Sequence, residues 1–194
     1  MRRVLVACES SGVLRSRLRA RGVDAWSCDI LPADDGSEFH IQGSVIDHDI
    51  IKMGWDDLIA FPDCTFLTVS ANRWANEEWR MEARHWALHF VKTLWAFPVK
   101  RKSIENPIGV LPSIWRRPTQ IIQPHDFWAG EPGKGEVKAT CLYLDGFPAL
   151  IETTPNETGR HPACWLQPPG PDRWKKRSRT YDGIADAMAD QWFN

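Results

Sequence analysis

Apolar positions in this chain fall into short runs separated by amphipathic stretches. Residues 3–8 form an apolar strand pattern, and the polar turn Glu9-Ser10-Ser11-Gly12 follows. Residues 13–21 then read as an amphipathic helix closed by Gly22. Residues 24–28 give a second short strand, with Asp29 just past its end. Residues 41–46 suggest another short strand, and residues 55–60 a buried one. The longest helical pattern covers residues 72–95. Residues 102–105 read as a strand running into Asn106-Pro107, residues 110–123 as irregular, and residues 137–144 as an alternating strand. Residues 145–172 hold six prolines and read as a loop. A terminal helix is expected over residues 182–193, with Ile184, Met188 and Trp192 on one face.

Strands alternating with helices predict an α/β fold with a mostly parallel central sheet and helices on both faces. No internal repeat or domain boundary is visible, so residues 1–194 are read as one domain. In such folds ligands sit beyond the carboxyl ends of the strands. Glu9, Asp29, Cys64 and Glu105 are all expected there.

The first thirty or so residues form a βαβ unit, with an acid about twenty residues after its turn. That layout suits a nucleoside-containing cofactor, with its ribose hydroxyls on the acid. The turn offers only Gly12 in place of a glycine-rich fingerprint. A pyrophosphate needs closer backbone approach than Glu9 and Ser11 suggest, so a cofactor without phosphate, such as S-adenosylmethionine, fits better. Asp29 can equally be an ordinary loop acid. Glu9 is either a cofactor contact or a charge partner for the helix N-terminus.

Two later turns carry reactive groups. Residues 59–65 run as a strand into Pro62-Asp63-Cys64-Thr65, and residues 102–107 deliver Glu105 and Asn106. A thiol and a carboxyl group held at two strand ends can do covalent chemistry on a planar ring. Buried free cysteine is common, so Cys64 alone also reads as a small core residue. Cys8, Cys28 and Cys141 lie in strand patterns and read as core.

Composition narrows the class. The 194 residues are 43% hydrophobic and 25% charged, which suits a globular chain with a full core. No apolar run approaches the roughly 18 residues of a membrane span. The chain enters its first strand without a signal-peptide pattern, which predicts a cytoplasmic protein. The five cysteines are odd in number and form no Cys-x-x-Cys pair. His161 and Cys164 are too few for zinc, so no metal is expected. A net charge of −1 is not that of a strong duplex binder. Basic clusters at residues 100–102, 116–117 and 173–179 read as solvated surface or, taken together, as one phosphate-tracking face. Of the eleven tryptophans, Trp79 and Trp86 are seven apart and are expected in the core.

At these residues the chain resembles the cytosine carbon-5 DNA methyltransferase family, most closely the short forms carried by phages. Pro62-Asp63-Cys64-Thr65 is similar to the family's Pro-Pro-Cys-Gln turn, and Glu105-Asn106-Pro107 to its Glu-Asn-Val. Residues 136–140 stand where a later strand brings basic side chains to the site, with Lys138 the candidate. Residues 181–185 resemble the last family motif. The family's Phe-x-Gly-x-Gly-Gly loop is replaced by residues 7–12, and its acid after the third strand by Ser44. The thirty or so residues before Arg173 are too few for a target-recognition domain.

The resemblance implies a Rossmann-like S-adenosylmethionine-dependent methyltransferase fold. It implies methyl transfer to carbon 5 of cytosine in DNA, duplex or single-stranded, or in a cytosine nucleotide. Cys64 would be the nucleophile and Glu105 the acid at ring nitrogen 3. Asn106 would shape the turn, and Lys138 would act on the thiolate or the base. Cofactor contacts are expected at Cys8, Glu9, Ser10, Gly12, Asp29, Ile30, Ser44 and Pro62. Nucleic-acid contacts are expected at Arg73, Arg116, Arg173, Lys175, Lys176, Arg177 and Arg179, with help from loops 66–78 and 111–135. A phage or prophage origin follows from the same resemblance. The competing expectation is a degenerate fold that binds nucleic acid, S-adenosylmethionine or a host protein without turnover.

Overall fold

A computed structural model describes residues 2–69, 76–131, 133–154, 159–171 and 173–194. Its centre is a seven-stranded sheet in the order β3-β2-β1-β4-β5-β7-β6. The strands are β1 (Arg3–Ala7), β2 (Asp24–Asp29), β3 (His40–Gln42), β4 (Asp57–Ala60), β5 (Arg101–Pro107), β6 (Gln120–Ile122) and β7 (Thr140–Asp145). The first five pair in parallel, while β7 runs antiparallel to both β5 and β6. The result is a mixed, mostly parallel α/β sheet, consistent with a Rossmann-like architecture.

Side-chain alternation along β1 divides the interior into two cores. Val4 and Val6 pack on one face with Leu14 and Leu18 of α1 (Val13–Ala20) and Ile184, Met188 and Trp192 of α7 (Asp182–Phe193). Leu5 and Ala7 pack on the other face with Ile50 of α2 (His48–Ile51) and Val91 and Leu94 of α3 (Glu78–Trp95). Both faces of β1 are therefore covered, as a parallel strand requires. The side chains of Val4, Leu5, Val6 and Ala7 are all fully buried, and each large one contributes roughly 1.5–3 kcal/mol. Helices α1 and α7 are also clamped by Arg17, whose guanidinium reaches Asp182 at 2.8 Å and Asp186 at 2.6 Å.

Several boundaries differ from the pattern-based expectation. The third strand is His40–Gln42 rather than residues 41–46. The long helix is described from Glu78, and residues 70–75 lie outside the described residues. The stretch expected to be irregular holds α4 (Leu111–Ile114), β6 and a 3-10 turn at Pro124–Phe127. The proline-rich segment contains α5 (Ala163–Leu166), and the basic run forms α6 (Arg173–Ser178).

The expectation that Trp79 and Trp86 are core is corrected. They share a face of α3, but it is the outward one, and they are 57% and 62% exposed. The face turned to the sheet carries Val91 and Leu94 instead. No described helix is long and apolar enough to cross a membrane.

Candidate functional site

Strand order reverses between β1 and β4, so the crevice beyond their carboxyl ends is the topological switch point. Cys8 leaves β1 with φ 58°, the only positive φ at a non-glycine among the described residues. Its N–H donates to the Cys28 carbonyl at 2.7 Å. Cys8 is half-buried rather than core. Gly12 enters α1 in the left-handed region, where a Cβ would overlap the Arg15 guanidinium.

Glu9 is only 4% exposed and turns back onto α1. Its carboxyl accepts from the N–H groups of Leu14 at 2.7 Å and Arg15 at 3.4 Å. The side chain thus occupies the place where an anion would meet the helix. Of the two roles open to Glu9, this is the partner of the helix N-terminus. Burial pushes its carboxyl up to about 7, against the pull of those two N–H groups and of Arg15. A pyrophosphate would have to displace a carboxyl already bonded there.

Asp29 ends β2 and accepts from the Leu31 N–H at 2.9 Å. Beside it Ile30 is 73% exposed, an apolar side chain standing free at the rim. Ser44 lies just after β3, half-buried, with its carbonyl accepting from Asp47. Ser10 shares the crevice, where its carbonyl accepts from the Asp34 N–H at 2.9 Å.

On the other side of the switch point, β4 continues through Phe61 and buried Pro62 into the Cys64 turn. The Cys64 carbonyl accepts from Leu67 and Thr68, which closes the turn. Asp63 and Thr65 pair with each other. One Asp63 oxygen accepts from the Thr65 N–H at 3.1 Å and from its hydroxyl at 2.7 Å. The Asn106 amide reaches across from β5 and donates to the Pro62 carbonyl at 3.2 Å. That bond ties the two chemistry-bearing turns together, while the Asn106 carbonyl oxygen is buried without a partner among the described residues.

Cys64, Glu105 and Lys138 are brought within one another's electrostatic reach. The Cys64 thiol is pushed up to about 11 by burial, then by the Glu105 and Asp63 carboxylates, with Lys138 opposing. Glu105 is also shifted upward, chiefly by burial, against Lys138 and the Thr140 hydroxyl. The Thr140 hydroxyl also reaches the Lys138 carbonyl, at 3.0 Å. Protonation of Glu105 also removes one of the two anions that hold the thiol up. The Lys138 amine donates to the Arg177 carbonyl at 2.8 Å and lies 5.7 Å from the centre of the Tyr181 ring.

The cleft itself is lined by Phe61, Glu105, Lys138, Thr140, Ser178, Arg179, Thr180, Tyr181 and Ile184. It is narrow, with about 20 Å³ open to a water-sized molecule. Residues 178–181 form one wall of it. Gly183 fixes their approach, because any Cβ there would overlap the Phe127 carbonyl. Phe61, Thr140 and Thr180 were not foreseen as site residues. Thr140 had a signal, since it lies two residues after Lys138, on the same side of an alternating strand.

The basic residues do not form one face. Lys100, Arg101 and Lys102 lie at the amino end of β5, the opposite end from Glu105. Arg116 stacks over Trp95 and Trp115 at 4.2 and 5.2 Å, on the α3 side. Only the α6 group stands at the cleft. There Lys175 pairs with Asp34 at 2.7 Å, Arg173 donates to the Gln167 carbonyl, and Arg179 pairs with Asp182. Lys176 lines a second cavity with Glu136, Cys164 and Tyr181. Arg73 lies outside the described residues. Among the described residues no three His, Cys, Asp or Glu side chains gather as a metal site.

The site and sheet define an α/β protein with its reactive groups at the carboxyl ends of the strands. No protein-family model matches the chain, and no curated protein matches its sequence.

Proposed function

We propose that this chain is an S-adenosylmethionine-dependent methyltransferase acting on carbon 5 of cytosine in DNA, through a covalent adduct at Cys64. The observation that carries the reading is the pairing of the Cys64 turn with Glu105-Asn106, tied by the Asn106-to-Pro62 bond. It supports a thiol and a protonated carboxyl group acting on one ring.

Carbon 5 of cytosine is a poor nucleophile. Addition of the Cys64 thiolate to carbon 6 moves an electron pair toward nitrogen 3 and makes carbon 5 enamine-like. Glu105 supplies the proton at nitrogen 3, a role that its upward shift suits. Once carbon 5 carries the methyl group, a base takes the carbon-5 proton, the thiolate leaves carbon 6, and the nitrogen-3 proton returns to Glu105. Lys138 is the cation able to stabilise the thiolate. In a duplex the base must first leave the stack.

The residues around the switch point fit the cofactor. Glu9 already holds the helix N–H groups that a pyrophosphate would need, so a phosphate-free nucleoside suits the crevice better, with Asp29 for the ribose hydroxyls and exposed Ile30 beside the base. S-adenosylmethionine, when bound, supplies the methyl group as an electrophilic sulfonium. Ser44 in place of an acid removes one polar contact, and we expect correspondingly weaker cofactor binding.

A second reading, binding without turnover, is favoured by two observations. The thiol is held up at about 11, and the Lys138 amine is engaged by the Arg177 carbonyl. The two readings separate on product analysis. Incubation with cytosine-containing DNA and labelled S-adenosylmethionine, followed by nucleoside chromatography, yields 5-methyldeoxycytidine under the first reading. Cofactor binding by calorimetry with no such product supports the second.

A further inference from the structure

We propose that α6 is a self-closing strap across the cleft, and that the phosphodiester backbone of single-stranded DNA releases it. The inference rests on the site reading above but not on methyl transfer.

Two contacts pin the strap. Lys175 pairs with Asp34, in the loop after β2, and the Arg177 carbonyl takes the Lys138 amine, just before β7. In the sheet order β2 and β7 stand on opposite sides of β1, β4 and β5. The strap therefore crosses the ends of the strands that carry Cys8, Cys64 and Glu105. Its continuation, residues 178–181, walls the cleft beside Glu105, Lys138 and Thr140. A base that approaches Glu105 and Lys138 therefore meets this segment as one wall of the cleft.

The strap also holds on to the site's cation, because one of the three Lys138 N–H donors is taken by the Arg177 carbonyl.

The latch is weak by construction. Lys175 and Asp34 are 48% and 32% exposed, so their pair is solvated and salt-sensitive. The Arg177 Nε is buried without a partner among the described residues, which penalises the closed state. A phosphate competes with Asp34 for Lys175 and is repelled by Asp34 itself. Around the latch stand Lys176 and Arg179, while Trp174 is 58% exposed and Trp165 67% exposed. A cationic segment with free indole faces suits a single strand, whose phosphates meet the lysines and whose bases stack.

Two variants move the latch in ways that simple charge effects do not. Asp34→Asn and Lys175→Gln both break the pair, but only the second removes a positive charge. Cys64 alkylation by iodoacetamide is followed by peptide mass mapping, with buried Cys28 as the fold control. Binding of a fluorescein-labelled single-stranded thymidine 20-mer is followed by anisotropy. Without DNA, both variants are expected to raise the Cys64 rate about two- to fivefold, the worth of an exposed ion pair. Asp34→Asn should bind the 20-mer more tightly than wild type, and Lys175→Gln more weakly. An unchanged Cys64 rate in both variants overturns the strap. A duplex of the same length binding as tightly as the single strand overturns the single-strand assignment. Methyl-transfer activity with an unresponsive Cys64 sinks the strap alone. A responsive Cys64 with no methylated product sinks the methyl-transfer reading alone.

Discussion

The two ends of the sheet are built on opposite principles. At the amino ends of β4 and β5, Asp57 is fully buried and saturated. Arg101 meets it with Nε at 2.9 Å and Nη2 at 2.8 Å, and Arg2 adds a third contact at 2.8 Å. Next to it Asp56 accepts from the Arg3 N–H and from Lys100. At the carboxyl ends the polar groups are left partly unanswered. Cys8 is held at a positive φ, the Asn106 carbonyl oxygen has no partner among the described residues, and Cys64 and Glu105 both favour their protonated forms. An end whose charges are matched contributes to stability. An end whose groups are poised and unmatched can interact with a ligand.

Mutation should separate the two ends. The largest expected effect is on stability, from Arg101→Ala. Removing the bidentate partner strands Asp57 as a buried charge, with about 3 kcal/mol lost in urea unfolding. A loss below about 1 kcal/mol would mean that Arg2 alone can hold Asp57. Next comes Glu105→Gln at the other end. It should lower methyl transfer by about 10²–10⁴-fold while leaving the urea midpoint unchanged or slightly higher. A large stability loss there would make Glu105 a structural residue.

Glu9→Gln should cost about 1–2 kcal/mol, because one of the two helix N–H groups loses its acceptor. It should also change the pH dependence. A carboxyl whose folded pKa is raised from 4.5 to about 7 binds its proton more tightly in the folded chain. Stability is then fully present below about 4.5 and is lost as pH rises through about 7. Wild type should lose stability over that window more steeply than Glu9→Gln, as read from urea midpoints at successive pH values. Equal slopes would refute the assignment. The smallest effect is expected from Trp86→Ala, within about 0.5 kcal/mol, because this ring stands in solvent.

The sheet's ends also differ in how readable they were. The βαβ unit, the strand leading to Cys64 and the terminal helix followed from apolar periodicity, because each is local. Strand β6 and helices α4, α5 and α6 were missed. They are three to six residues long and flanked by prolines, too short for a period to register. The Trp79 and Trp86 spacing revealed a shared face but not which way it turned. At the site, residue types marked Cys64, Glu105 and Lys138. The contacts that govern them did not show, since the Lys138 amine finds a carbonyl 39 residues away and the Asn106 amide one 44 residues away. Asp63 and Thr65, departures from the family turn, proved to be partners of each other.

The central claim is that Cys64 is a nucleophile toward carbon 6 of cytosine. It is tested most directly by trapping. Fluorine at carbon 5 cannot be lost as a proton, so the final elimination stalls with the thiol still attached. With S-adenosylmethionine and a single-stranded oligonucleotide carrying 5-fluorodeoxycytidine, wild type should give a protein–DNA species that survives denaturation, and Cys64→Ser should give none. No such species from wild type, or an equal yield from Cys64→Ser, would contradict the account.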